Sequence, residues 1–350
     1  MTLPYFDAEA ISKLGEYVNN CKANRKTVVV LCDNNTHEKC FPWLEKHIPF
    51  PFIDTIISIA SGEEHKNIDT VTKIWKELFN KNVDRNTVLF SLGGGVVCDL
   101  GGFVAASFKR GINNVLIPTS LMAQVDAAIG GKSGFNFEQT KNQIGFFSHA
   151  DAIFIIPELL NTLPEREILS GFAEMLKHAL IADILYWKEL STITSPLQII
   201  QSNLIKHSAD IKTKICCADP YEQNERKKLN FGHTIGHALE SYFMAGRYSL
   251  SHGEAVELGM IAESHISFQK GYISQEELML ITKTLRHFFA IPDMNKINTS
   301  SLFYYLLKDK KITGKDMNFT LLNSIGNAVI NQSVSEQEVE TAIKYVDLVI

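Results

Sequence analysis

The sequence predicts an α/β protein of two domains, a parallel-sheet domain over residues 1–157 followed by a mainly α-helical domain over residues 158–350. Short β-branched runs alternate with amphipathic stretches up to Pro157, and beyond it strand signals are sparse until a late hairpin. The 350 residues, with 45% hydrophobic and 21% charged side chains, suffice to bury one or two cores and exclude disorder, collagen and coiled coil.

The strands are read at Thr27–Cys32, Thr55–Ala60, Thr87–Leu92, Val115–Pro118 and Ala152–Ile156. Between them, Ile68, Val71, Ile74, Trp75 and Leu78 share one face of a helix that packs on a sheet. Past Pro157, the stretches Pro164–Ile181, Leu197–Cys216, Leu229–Tyr242, Gly253–Phe268 and Gln275–Phe289 read as helices. Met317–Leu322 and Asn327–Ile330 flank an Ile325-Gly326-Asn327 turn as in a hairpin, and Ser335 with Glu338 forms a capping box that opens a last helix.

A net charge of −5 gives no basic footprint, so no nucleic-acid partner is expected. No apolar run approaches the roughly 18 residues of a membrane helix, so no membrane partner is expected either. The first residues, Met1-Thr2-Leu3-Pro4, lack the basic flank and apolar stretch of a secretory signal, and a cytoplasmic location is expected. The six cysteines (Cys21, Cys32, Cys40, Cys98, Cys216, Cys217) form no CxxC pair and are expected to be reduced thiols without a catalytic role.

The third strand runs into Gly93-Gly94-Gly95-Val96-Val97-Cys98-Asp99. Its glycines let the backbone approach a ligand, and the following helix would aim unpaired amides at a phosphate, a seat for a pyrophosphate. Asp33 ends the first strand and Gly62-Glu63-Glu64-His65-Lys66 follows the second, so acidic groups stand where a dinucleotide ribose is held, which favours NAD over NADP. The stretch Arg110-Gly111, Pro118-Thr119-Ser120-Leu121, Gln124-Val125-Asp126 and Gly130-Gly131-Lys132-Ser133-Gly134 reads as an anion site, with Arg110, Lys132 and Lys141 as cationic donors and Asn142 as a neutral one.

In the helical half, Glu174, Lys177 and His178 occupy neighbouring positions of one helix face. His233 and His237 stand at i and i+4, and His252 opens another helix. One glutamate with two or three histidines suggests zinc, with an open position for catalysis. Spacing alone leaves open which two histidines bind, with His233 and His237 the simplest choice. Lys212, Glu222, Arg226 and the run Asp309-Lys310-Lys311 add charges that are candidates for burial.

In this order, from Asp33 to the Asp309-Lys310-Lys311 run, these motifs resemble the 3-dehydroquinate synthases, which are sugar-phosphate cyclases. The most specific pieces are Gly93-Gly94-Gly95 with Asp99, Arg110-Gly111, Pro118-Thr119-Ser120-Leu121, Asp126 with Gly130-Gly131-Lys132, Ala173-Glu174 with Lys177, and Asn230-Phe231-Gly232-His233-Thr234-Ile235-Gly236-His237. The resemblance implies a Rossmann-like NAD-binding domain, a helical metal-binding domain, an active site in the cleft between them, and a homodimer. It implies that Glu174, His233 and His252 bind zinc, for which cobalt can substitute, and that His237 lies near the substrate phosphate. It makes Asp126, Lys132, Asn142, Lys177, Lys212, Arg226, Asn230 and one of Lys310 and Lys311 contacts of a small sugar-phosphate substrate, with Arg110 reaching the phosphate site of the second subunit. Asp33, Glu63, Lys66, Gly94, Gly95, Asp99, Thr119 and Ser120 map to NAD contacts, with Lys132, Lys141 and Asn142 beside them. Ala128 departs from the pattern, standing where many members carry a hydroxyl residue.

The reaction so implied converts 3-deoxy-D-arabino-heptulosonate 7-phosphate to 3-dehydroquinate and phosphate, a step of aromatic amino acid biosynthesis. It runs through oxidation, phosphate elimination, reduction, ring opening and aldol closure, so NAD is regenerated in each cycle. Another NAD-dependent sugar-phosphate cyclase would share the fold, NAD and zinc, but Asn230, Lys212 and Arg226 favour a substrate that bears a carboxylate. A zinc polyol dehydrogenase would not need so many phosphate-binding cations. A catalytically silent NAD- and metal-binding module would not need a full set of substrate residues.

Overall fold

A computed structural model describes residues 1–48, 53–138, 140–244, 250–288, 299–309 and 317–349. By backbone contacts the chain forms two compact units, Met1–Ile168 with Ile200–Thr213, and Leu169–Ile199 with Lys214–Ile350.

The first unit holds a six-stranded parallel sheet built from β1 (Tyr5–Phe6), β2 (Thr27–Asp33), β3 (Thr55–Ile59), β4 (Thr87–Gly93), β5 (Asn113–Pro118) and β8 (Ala152–Ile155), in the order β1-β8-β5-β4-β2-β3. The central strands are apolar throughout because both faces are covered. Val28, Val30 and Cys32 of β2 pack with Leu14 and Val18 of the helix Asp7–Ala23 on one face. Val29 and Leu31 pack with Val71, Ile74 and Leu78 of the helix Ile68–Asn80 on the other. The five strands read from the sequence are present, and β1, only two residues long, is an addition. A second addition is the antiparallel pair β6 (Lys132–Phe137) and β7 (Thr140–Phe147), where the sequence reads as a glycine-rich anion loop.

Strand order decides where a ligand can enter. From β2 the chain crosses to β3 on one side and then to β4 on the other, so the connections leaving β2 and β4 diverge at their carboxyl ends. Cys32 pairs with Leu92 there, and Gly93 with Pro118 of β5. Such a switch point leaves an open crevice beyond the strand ends.

Residues 200–213 belong to this unit through contacts on its edge. The predicted helix Leu197–Cys216 is two pieces, Pro196–Ile199 and Ser202–Ala218. Ser202 hydrogen-bonds the Asp7 carboxylate, the Lys206 ammonium lies 4.7 Å from the Phe6 ring centre, and Lys212 Nζ lies 2.6 Å from Asp126 Oδ1.

The second unit packs helices around His252–Gln269, whose residues are buried nearly all round. The helix Glu165–Ala182 begins in the first unit and continues here, while the predicted Leu229–Tyr242 resolves into a 3₁₀ turn, Glu225–Asn230, and a helix, His233–Met244. The strands β9 (Met317–Ser324) and β10 (Asn327–Val334) form the expected hairpin around Gly326, and Ser335 with Glu338 caps the helix Glu336–Val349. No helix among the described residues is long and apolar enough to cross a membrane.

The helices His233–Met244 and His252–Gln269 cross backbone to backbone. A Cβ at Gly259 would overlap the Gly232 carbonyl oxygen and sit 2.7 Å from the Gly236 amide nitrogen. Gly232 itself has φ +77°, a left-handed conformation that glycine adopts without strain. A methyl group at the crossing must push the helices apart. Gly259→Ala is therefore expected to lower unfolding stability by at least about 2 kcal/mol in urea titrations, and a loss below about 0.5 kcal/mol would contradict the tight crossing.

Candidate active site

In the first unit, the residues singled out from the sequence gather at the carboxyl edge of the sheet. Gly94 caps the helix Gly95–Ser107, whose first amides face the crevice beyond β4. Beside it Thr119, buried, donates its amide to the Gly93 carbonyl at 3.0 Å, and the Ser120 hydroxyl accepts from Ala123 N at 3.2 Å. Asp33 ends β2, and its Oδ1 accepts the Thr36 amide at 2.9 Å, capping the next helix. Glu63 begins a 3₁₀ turn after β3.

Lys66, 4% exposed, reaches Asp99 Oδ2 and Asn142 Oδ1, each at 2.6 Å. Burial raises the Asp99 pKa, and the Lys66 charge and hydrogen bond oppose that rise. The pair β6–β7 carries the expected anion donors. Lys132 stands exposed at the start of β6, while Lys141 and Asn142 sit on β7, with Lys141 Nζ 3.9 Å from Glu63 Oε1. Arg110 is exposed at the end of a 3₁₀ turn, with φ +67°.

Asp126 lies in a π-helical turn, Ala123–Ala127, and Ala128 just after it is buried. Buried Gln124 fixes this turn, because its Nε2 donates to the carbonyls of Pro118 and Ile156. Lys212 Nζ donates to the Asp126 carbonyl at 2.7 Å as well as pairing with its carboxylate. The five buried cysteines form no disulfide, and burial pushes Cys32 up to about 12 and Cys40 to about 11, which favours the protonated thiol.

In the second unit, Glu174 is fully buried, and His233 Nε2 and His252 Nε2 each lie 3.4 Å from its Oε1. Buried Lys177, one turn on, ion-pairs with Oε2. Such a buried carboxylate needs cationic compensation. Burial alone would raise its pKa, but the Lys177 charge and hydrogen bonding with His233 and His252 hold it well below the ordinary carboxylate value.

Burial and Lys177 lower the His233 pKa to about 4, so its ring is neutral. His233 Nδ1 lies 3.1 Å from the Phe231 carbonyl, and its Nε2 faces Glu174. Burial also favours neutral His252, yet hydrogen bonding to Glu174 and Glu240, and their charges, raise it to about 9. Donor atoms of Glu174, His233 and His252 lie within 4.8 Å of one another. One carboxylate and two imidazoles are the hard and borderline donors that suit a zinc ion with an open position.

His237 stands one turn after His233, its ring 5.1 Å away, and with Glu240 and His252 it forms a second possible donor group. His178 is buried on the Glu174 helix. Asn230 Nδ2 donates to Glu222 Oε1 at 2.8 Å, and buried Arg226 donates from Nη1 to the Pro220 carbonyl at 2.7 Å. Lys310 and Lys311 lie outside the described residues.

Two residues that build the site give no sequence signal of their own. Glu263, buried on the helix His252–Gln269, accepts the amides of Gly232 at 2.6 Å and Ile235 at 3.1 Å, and so caps the helix that carries His233 and His237. Asp219 accepts the amides of Gln223, Asn224 and Arg226 and folds the loop that places Arg226. The i+4 spacing of His233 and His237 shows in the sequence, whereas Glu263 acts from about 30 residues downstream.

Family models of the 3-dehydroquinate synthase N-terminal and C-terminal parts match residues 56–170 and 171–312. A 3-dehydroquinate synthase of Parabacteroides distasonis is 37% identical over 336 residues, covering 95% of this chain and 94% of that protein. Among solved structures, a 2-deoxy-scyllo-inosose synthase complexed with carbaglucose-6-phosphate, NAD+ and Co2+ superposes with TM-score 0.84 at 22% identity, covering 98% of this chain and 96% of that one. A 2-epi-5-epi-valiolone synthase from Streptomyces hygroscopicus with NAD+ and Zn2+ bound gives 0.82 at 23% identity, covering 99% and 96%. The two cyclases share the fold, and with both family models and a close relative spanning nearly its whole length, the chain belongs to the 3-dehydroquinate synthase family.

Proposed function

We propose that the protein converts 3-deoxy-D-arabino-heptulosonate 7-phosphate to 3-dehydroquinate and phosphate, using NAD and a zinc ion. The observation that carries this is the buried Glu174 with two imidazole nitrogens at 3.4 Å, on a chain 37% identical to a 3-dehydroquinate synthase over 336 residues. The proposal takes the enzyme as a cytoplasmic homodimer, in keeping with the family resemblance.

Glu174, His233 and His252 would hold the metal, which supplies Lewis-acid polarisation of a substrate hydroxyl. The strand-end crevice would hold NAD, the hydride acceptor and donor, through Asp33, Glu63, Lys66, Gly94, Gly95, Asp99, Thr119 and Ser120, with Lys132, Lys141 and Asn142 beside it. The helix Gly95–Ser107 offers its first amides to the pyrophosphate. Lys66 neutralises half-buried Asp99 while orienting the Asn142 side chain.

The sugar phosphate would be read by cations and amides that the fold already aims. Lys132, Asn142, Asn230 and His237 position the phosphate, and Arg110 reaches that of the second subunit. Arg226 is clamped by Pro220 and the Asp219 turn, a rigid fork for the substrate carboxylate, with Lys212 as its second cation. Lys177 and Asp126 hold hydroxyl groups, and one of Lys310 and Lys311 completes the set. Holding the leaving phosphate and the carboxylate at fixed points is the main task left to the protein, because positioning alone carries much of such a barrier.

Three outcomes are expected. With NAD far below substrate, phosphate release and product NMR should show many turnovers per NAD and a dehydroquinate spectrum. Absence of phosphate release from protein loaded with zinc and NAD would shift the assignment to another cyclase substrate and discard the carboxylate roles of Lys212 and Arg226 first. His252→Ala should lose zinc by elemental analysis, and full occupancy would reject the ligand set. Lys132→Ala should lower kcat/KM by about 100-fold, or about 2.7 kcal/mol. Steady-state kinetics indistinguishable from wild type would sink its phosphate role.

A further inference from the structure

We infer that Asn136 is a positioning residue that ties the proposed NAD contacts Glu63 and Lys66 to the proposed phosphate contact Asn142 through one side-chain amide. The inference rests on that reading of the three residues and adds a fourth that no motif indicates.

Asn136 lies half-buried on β6 and joins three segments. Its Nδ2 donates to Glu63 Oε1 at 2.8 Å, its Oδ1 accepts the Asn142 amide at 3.0 Å, and its own amide donates to the Lys66 carbonyl at 2.8 Å. Lys66 Nζ closes the ring by donating to Asn142 Oδ1 at 2.6 Å. The amide orientation follows from the partners, since a carboxylate only accepts and a backbone N–H only donates.

The strand pairing explains why this amide is needed. Phe135 pairs with Ile144 and Phe137 with Thr140, so one residue of β6 faces three of β7, and Lys141, Asn142 and Gln143 bulge out of the ladder. Asn142 adopts φ +55° in that bulge, a left-handed conformation that costs free energy for any residue with a Cβ. The Asn136 oxygen takes the Asn142 N–H that no strand partner receives. The same side chain holds the Glu63 carboxylate with its nitrogen, so loss of one group releases both neighbours.

An isosteric change separates the two halves of the role. Asn136→Asp keeps an acceptor for the Asn142 amide but sets a second carboxylate against Glu63, whereas Asn136→Ala removes both bonds. NAD and inorganic phosphate dissociation constants are measured by calorimetry on full-length, zinc-loaded protein, with melting temperature and zinc content as controls. Asn136→Ala should weaken both ligands about tenfold, the ratio carried by one charge-assisted hydrogen bond. Asn136→Asp should weaken NAD at least about fivefold more than it weakens phosphate. If Asn136→Ala lowers the melting temperature, the isosteric variant carries the test by its ratio alone. Wild-type affinity for either ligand in a stable Asn136→Ala protein, or an Asn136→Asp protein that loses phosphate more than NAD, would overturn the inference. Lys66→Met distinguishes the underlying reading: unchanged NAD affinity in that variant removes the cofactor role of this edge, and the inference falls with it.

Discussion

The second unit is organised by the need to bury one carboxylate. Glu174 has no exposed surface, and an isolated charge in such a place costs several kcal/mol or more. Lys177 and the rings of His233 and His252 surround it, and each is delivered by a different constraint. Lys177 comes from the same helix one turn on, His233 from the capped start of the helix His233–Met244, and His252 from the start of the helix that crosses it. The crossing is close because Gly259 has no side chain against Gly232, and the helix start is fixed because Glu263 satisfies its amides. A cluster with a lowered His233 and a raised His252 results, two imidazoles in unlike electrostatic surroundings around one anion.

The first unit reaches its site by topology instead. The order of β2, β3 and β4 opens the crevice, and the segment leaving each strand is free to vary without disturbing the sheet. Glycines at the end of β4, a capped helix at Asp33 and a hydroxyl pair after β5 all lie at one edge for that reason. The β6–β7 pair adds cations and amides from outside the sheet.

Much of this was legible because parallel strands buried on both faces advertise themselves as apolar runs, and strand ends are where glycines and acids interrupt them. Three kinds of feature were not. β6 and β7 carry Gly134, Gly145 and a bulge, so neither shows the alternation by which a strand is recognised. Residues 200–213 look like any other amphipathic helix, and their place is set by Asp7, Phe6 and Asp126, far away in sequence. The geometry of the histidines depends on a helix crossing, so i+4 spacing pointed to His233 and His237 while the resemblance pointed to His252. Glu263 and Asp219 act on backbone amides, and such partners leave no pattern in the chain.

The return of residues 200–213 to the first unit bears on how the chain is made. Synthesis proceeds at about 5–20 residues per second and lets amino-terminal units fold first. Here the sheet can form once β8 has emerged, but its edge stays incomplete until Thr213 leaves the ribosome, after residues 169–199 of the other unit. Asp126 acquires the Lys212 ammonium only then. The first unit is therefore finished in the presence of part of the second, and a fragment cut at Pro157 would be born without the segment that neutralises Asp126.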